Sequence, residues 1–113
     1  MSDVNNKPIE APSFPITIPN WALLVTVVQA QVISLTYAKE INCPLQKDVW
    51  RSTWKSAKVL YYFYQNEAKP YTEKNKPELA SAIQNVFEEL NKYLRDLKVL
   101  YRHASRNKLW VEN

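Results

Sequence analysis

The stretch 77–106, PELASAIQNVFEELNKYLRDLKVLYRHASR, decides the fold of this 113-residue chain. Its apolar residues return every three or four positions, which is the repeat of a helix that packs in a bundle. Pro77 suits the first turn of such a helix, and Glu78 suits its positive N-terminal end. We therefore predict a helix from Pro77 to about Ser105. Its seam consists of Leu79, Ile83, Val86, Leu90, Tyr93, Leu97, Leu100 and Ala104.

A second amphipathic segment precedes this helix, from Leu45 to about Ala68. Pro70 predicts its end, because proline lacks an amide N–H and keeps the residue before it out of the α region. The polar residues 69–76 are predicted to form a linker or a short fourth helix. The apolar side of the second helix carries Val49, Trp50, Thr53, Ala57, Leu60, Tyr61 and Tyr64.

The most apolar segment, residues 20–41, has no glycine or proline and is too long for a typical strand. Asn20 predicts the N-cap of a helix, and Asn42-Cys43-Pro44 predicts its end near Ile41. Nearly every side of its first three turns is apolar. We therefore expect this helix to lie at the centre of the bundle or to be covered by a partner chain.

The part of this helix that comes closest to a membrane span is residues 21–38. It has only the bare length for spanning, and it carries the polar residues Gln29, Gln31 and Ser34. We interpret it as a core helix and expect no membrane span.

The two ends of the chain differ from the helices in composition. Residues 1–19 hold four prolines and are predicted to form an extended, proline-rich arm. Residues 20–106 form the predicted bundle, and residues 107–113 form a tail. The large apolar side chains at these ends are predicted either to pack on the bundle or to bind a partner subunit: Phe14, Ile16, Ile18 and Trp110. The predicted fold is therefore all-α, a small bundle of three long helices.

Glycine is absent from the sequence, and its absence argues against several classes of site. Phosphate-binding loops and the nucleophile elbow both need glycine for close backbone approach or positive φ. Cys43 and His103 are the only residues of their kinds, too few for a protein-built zinc site or an internal disulfide. We expect no enzyme activity, no cofactor and no metal. A single free thiol and the lack of a secretory leader favour a cytoplasmic protein.

Arginine and histidine lie close together near the end of the last predicted helix. Arg95, Arg102 and His103 invite comparison with the Arg-x(4–6)-His motif of the helical HEPN ribonucleases. Seven residues separate Arg95 from His103, and Arg102 is adjacent to it, so the motif is not met.

The placement of positive charge is more informative than the net charge of +4. Two helices carry basic stripes opposite their apolar faces, and acids that would pair with these bases at i,i+4 are mostly missing. Aromatic rings lie near the stripes, and rings beside cations can stack bases while the cations hold phosphates. The predicted nucleic-acid-binding residues are Lys47, Arg51, Lys55, Lys58, Tyr62, Lys92, Arg95, Lys98, Arg102 and Arg106. Whether the two stripes lie side by side or on opposite flanks is left open by the sequence.

In outline, the chain is similar to the small helical subunits of CRISPR effector complexes, which are short, basic, helical bundles along a nucleic-acid path. That resemblance implies a non-catalytic subunit of a nucleoprotein assembly, contacting single-stranded DNA or RNA through its backbone. The alternative is a protein–protein adaptor or homo-oligomeric scaffold without nucleic-acid binding.

Overall fold

The computed structural model describes residues 16–111. Its elements, in chain order, are α1 (Ile18–Glu40), β1 (Leu45–Gln46), α2 (Lys47–Phe63), α3 (Lys69–Asn75), α4 (Ala80–Arg106) and β2 (Trp110–Val111). The predicted all-α bundle of three long helices is confirmed, because α1, α2 and α4 pack against one another around one core. The short fourth helix is α3. Phe14, with the rest of the predicted arm up to residue 15, lies outside the described residues.

The core is built on the seam of α4, as its spacing predicts. Leu90, Leu97 and Ala104 are fully buried there, whereas Leu79 at the start of the seam is 40% exposed. Leu79 lies in a single 3₁₀ turn before α4 begins, which explains its exposure. The residues that α1 and α2 bury against this seam are Trp21, Val25, Val28, Val32, Leu35, Thr53, Ala57 and Leu60.

The predicted N-cap of the first helix, Asn20, is wrong by three residues. Thr17 has the extended backbone of an N-cap, and its hydroxyl accepts a hydrogen bond from the Asn20 backbone N–H at 3.2 Å. Pro19 lies within the first turn, where a proline costs no helical hydrogen bond. The helix therefore includes a proline that the sequence interpretation placed outside it.

The predicted end of the second helix at Pro70 is also wrong. The helix widens into a π turn over Tyr64–Ala68 and continues without interruption into α3. In this turn the Lys69 backbone N–H donates to the Tyr64 carbonyl, five residues back. A π turn re-spaces the helical hydrogen bonds just where Pro70 has no N–H to give, so the chain stays helical through the proline.

The prediction that the first helix is central is wrong as well. One side of α1 is buried by α2 and α4, but the opposite side is open in the described chain. Leu23, Ile33 and Tyr37 are 63%, 59% and 65% exposed. The second half of that prediction, cover by a partner chain, stays a prediction.

The bundle is closed at one end by a two-stranded parallel bridge. Leu45 pairs with Trp110, and Gln46 pairs with Val111. Both strands follow a helix C-terminus closed by a Schellman turn, in which the C″ N–H reaches back to the C3 carbonyl. These bonds join Cys43 N to Ala38 O at 2.9 Å after α1, and Leu109 N to Ala104 O at 2.9 Å after α4. The two turns bring the segments after α1 and α4 together.

The C′ position of each turn has positive φ and is occupied by a residue other than glycine. Asn42 has φ of 59°, and Lys108 has φ of 55°. Asparagine tolerates this region, but lysine carries a Cβ that crowds the backbone there. Lys108→Gly should therefore raise the free energy of unfolding by about 0.5–1 kcal/mol.

Thermal and urea unfolding would measure this change. Lys108→Ala is the matched control, because it removes the same charge and keeps the Cβ, and we expect no gain from it. An equal gain in both variants would contradict the explanation by backbone conformation.

Candidate nucleic-acid interface

A row of aromatic rings lies along the contact between α2 and α4. The rings of Trp50 and Trp54 stack with centroids 5.5 Å apart and an angle of 8° between their planes. Tyr101 of α4 lies 4.9 Å from Trp50, and Trp110 lies 5.4 Å from Tyr101 and 6.2 Å from Trp50. These separations are within the range of favourable aromatic contacts. Four rings from three elements therefore form one continuous cluster.

Lysine ammonium groups lie over the rings at several points. Lys58 Nζ is 5.6 Å from the Trp54 centroid and 5.2 Å from that of Tyr62. Lys98 Nζ, from α4, is 6.0 Å from the same Trp54 ring. Lys47 Nζ is 5.7 Å from the Trp110 centroid. All of these distances are within the reach of cation–π attraction, so the cations are held against the rings.

We call this area the cationic–aromatic surface. Its members are Lys47, Trp50, Trp54, Lys58, Tyr61, Tyr62, Lys98, Tyr101 and Trp110.

The positions of these side chains follow from the borders of the two amphipathic helices. Trp50, Trp54 and Tyr61 recur at intervals of four and seven, so they share the edge of α2 that faces α4. The Trp50 indole Nε1–H donates to the Leu97 carbonyl at 2.8 Å, which ties α2 to α4 through the ring itself. The Trp110 indole donates to Ser105 Oγ at 3.0 Å, and the parallel bridge fixes its backbone.

The two basic stripes begin at one shared border. Lys58 on α2 and Lys98 on α4 contact the same aromatic ring, because the ammonium groups of both lie over Trp54. From there Lys55 continues outward on α2, and Arg95 continues outward on α4, by helical spacing. The two stripes therefore meet at Trp54, on the border between α2 and α4.

Few carboxylates neutralise these stripes. Arg51 pairs with Asp48 at 3.0 Å, and both side chains are at least half exposed, so the pair contributes little to stability. Within residues 16–111, no carboxylate lies within 4.0 Å of the following cations: Lys55, Lys58, Lys92, Arg95, Lys98, Arg102 and Arg106. Most of the positive charge on this side is thus available to an anionic ligand.

The far end of the α4 stripe faces α1 instead of α2. Arg102 and Arg106 line a small open cavity of about 250 Å³ together with Lys39 and His103. Lys92 is exposed on α4 without an aromatic contact among the described residues. The structure thus brings Lys47, Lys58, Tyr62 and Lys98 together with the aromatic cluster. The other predicted residues make no cation–π contact within residues 16–111: Arg51, Lys55, Lys92, Arg95, Arg102 and Arg106.

The predicted partner-binding residues that the structure describes pack within the chain. Ile16, Ile18 and Trp110 are half-buried against the core. The sequence allows these side chains either to pack on the bundle or to bind a partner subunit, and in the described chain they pack on the bundle. Their role in binding a partner stays a prediction.

Trp50 and Tyr61 belong to the cationic–aromatic surface but were assigned to the apolar face of the second helix from the sequence, and Tyr101 was assigned to no site. Their burial is intermediate or incomplete, and Tyr101 is 39% exposed. A usable signal was present, because Trp50 and Tyr61 fall within 40° of Trp54 on a wheel at 100° per residue. Rings at the border of an apolar face can serve both the core and the surface.

Two tyrosine hydroxyls in the core have altered acidity. Burial raises the pKa of Tyr64 above its ordinary value of 10.0, and the Glu73 and Glu88 carboxylates add to the rise. Burial also raises the pKa of Tyr93, whose hydroxyl donates to Glu89 Oε1 at 3.1 Å. Both side chains therefore stay neutral at physiological pH and supply no charge to the surface.

Among residues 16–111, no group of three or more His, Cys, Asp or Glu side chains is arranged to hold a metal ion. Comparison with family models, with curated proteins and with solved structures gives no match to this chain.

Proposed function

We propose that this protein is a non-catalytic, cytoplasmic subunit of a larger nucleoprotein assembly and contacts the backbone of single-stranded DNA or RNA. The observation that carries the proposal is the position of Lys58 and Lys98. They come from different helices, lie over one Trp54 ring, and have no carboxylate within 4.0 Å in the described chain.

The chemistry of the surface suits a flexible polyanion. The ammonium groups can hold phosphates, and the exposed parts of Tyr62 and Tyr101, 50% and 39% of their surface, can stack on unpaired bases. A single strand presents both groups at once, whereas a duplex hides the faces of its bases. This difference favours a single strand as the ligand.

The same chemistry favours binding without sequence selection. Lysine acts as a point charge, and a ring accepts any base, since every base has a π face. Phosphate contacts of this kind release counterions, so affinity should fall steeply as salt rises. The net charge of +4 is modest, which supports a role as one subunit among several.

The four tryptophans offer a direct test of where the strand binds. Each indole N–H gives its own signal in a ¹⁵N–¹H NMR spectrum. On titration with an oligothymidylate we expect the signals of Trp54 and Trp110 to move. The Trp21 signal should stay, because its side chain is 0% exposed between α1 and α2 and its Nε1–H is bonded to the Leu60 carbonyl.

Trp54→Phe identifies the Trp54 signal and serves as the assignment control. Titration with a polyglutamate of equal charge tests whether the response belongs to any polyanion. Movement of the Trp21 signal alone, or an equal response to polyglutamate, would contradict the proposal.

The alternative function, a protein–protein adaptor or homo-oligomeric scaffold, is favoured by a separate observation. The outer side of α1 exposes large apolar residues, among them Leu23, Val27, Tyr37 and Ile41. Exposed apolar patches on soluble proteins commonly mark interaction sites. A protein that binds only proteins would leave the indole spectrum unchanged on addition of oligonucleotide.

A further inference from the structure

The outer side of α1 carries a second apolar seam, opposite the buried one. Its members are spaced by four, three, four, three and four residues, and all are exposed: Leu23, Val27, Ala30, Ser34, Tyr37 and Ile41. Such spacing is the heptad pattern of a helix that packs along another helix. α1 therefore has one seam for its own bundle and another without a partner in the described chain.

The spacing of this outer seam and the order of its large and small residues are symmetric about its centre. In an antiparallel pairing about the level of Val32, Leu23 meets Ile41, Val27 meets Tyr37, and Ala30 meets Ser34. Large residues then face large residues at both ends, and the two small residues meet in the middle. That match is the self-complementarity an interface with two-fold symmetry requires.

The charge and the exposed area of the outer seam are also compatible with pairing to a second copy of the chain. The only charged residues of α1 are Lys39 and Glu40 at its end, so two copies approach without like-charge repulsion. Taking roughly 150–200 Å² for a fully exposed large residue, the four large apolar ones, Leu23, Val27, Tyr37 and Ile41, expose roughly 350–450 Å² per chain. Two such faces bury roughly 700–900 Å², the size of a small interface, so we expect a dimer that dissociates on dilution.

A membrane is the other surface that α1 could meet, since the helix is long and apolar enough to cross one by length and composition. Its inner seam, however, is fastened inside the bundle. The Trp21 indole donates to the Leu60 carbonyl at 2.9 Å, and the Thr53 hydroxyl donates to Gln31 Oε1 at 3.0 Å. Insertion would break these contacts, whereas a helix laid on the outer seam keeps them.

We propose that α1 pairs antiparallel with α1 of a second copy, about a two-fold axis at the level of Val32. The pairing leaves the cationic–aromatic surface between α2 and α4 uncovered, so it is independent of the proposed nucleic-acid contact. Each dimer then presents two such surfaces.

Sedimentation equilibrium over a series of protein concentrations tests the pairing. We expect a rise from the monomer mass of 13.3 kDa to twice that value. Val27→Glu should weaken dimerisation at least about tenfold, because it buries a carboxylate in the seam. Val59→Glu is the matched control, since Val59 on α2 is 46% exposed, as is Val27.

A charge-swap experiment tests the direction of the pairing. Val27→Lys and Tyr37→Glu should each be monomeric, and a mixture of the two should form a heterodimer. Recovery of the dimer in a mixture of Val27→Lys with Val27→Glu would instead indicate parallel helices, and it would overturn the antiparallel register.

Two results would overturn the pairing as a whole. One is a monomer at every concentration, with or without flotation of the chain on phosphatidylcholine vesicles. The other is equal weakening of the dimer by Val27→Glu and Val59→Glu. Neither result depends on whether the protein binds oligonucleotides.

Discussion

Replacement of Trp21 by alanine should lower the free energy of unfolding by about 3–5 kcal/mol. The Trp21 ring is 0% exposed and lies 5.6 Å from the Tyr64 ring in a stacked arrangement and 6.5 Å from that of Phe63. Its Nε1–H donates to the Leu60 carbonyl at 2.9 Å. Alanine would remove both the packing and the hydrogen bond where α1 meets α2.

A loss of this size is a large fraction of the 5–15 kcal/mol that holds a typical small domain together. Urea unfolding followed by circular dichroism would measure it. Trp54→Ala is the comparison, because Trp54 is only half-buried, and it should cost clearly less. A loss below about 1 kcal/mol for Trp21→Ala would contradict the view that Trp21 closes the α1–α2 contact.

The seam of α4 was predictable because its residues separate clearly into an apolar and a polar face. Ile83, Leu90 and Leu97 recur every seven residues and are all buried. The orientation of α1 was not predictable in the same way. Apolar residues lie on all sides of that helix, so the periodicity gives no preferred face and only tertiary packing selects Trp21, Val25 and Val28 for the core.

The boundary errors have a common cause in proline. Pro19 and Pro70 were both interpreted as helix breakers, and both lie inside helical turns. Pro19 is tolerated because first-turn amides have no helical acceptor. Pro70 is tolerated because the hydrogen bonds of the π turn over Tyr64–Ala68 reach back five residues instead of four. No motif in the sequence predicts this local change.

The candidate surface was predictable in its charges but not in its arrangement. The sequence placed Lys58 and Lys98 on basic stripes, since each lies opposite an apolar face. The relative rotation of α2 and α4 then decides whether those stripes meet, and this rotation is set by packing such as the Trp50–Leu97 hydrogen bond. Tyr101 joins the surface for the same reason, as a core-border ring turned toward Trp50.

The central claim is that cations along the α2–α4 groove bind a nucleic-acid backbone. Its most direct test is the affinity for a labelled single strand over a salt series, measured with the triple variant Lys55→Glu, Arg95→Glu, Lys98→Glu. The matched control is the triple variant Lys69→Glu, Lys74→Glu, Lys76→Glu. Both variants change the net charge equally, but the control residues lie on α3 and the segment after it.

We expect the groove variant to bind about a hundredfold more weakly at low salt, because each lost phosphate contact removes a favourable release of counterions. Its plot of log affinity against log salt should flatten by about two units of slope. The control should keep most of the affinity and the slope of the unaltered protein. Equal losses in the two variants, or affinity that does not respond to salt in the unaltered protein, would contradict the central claim.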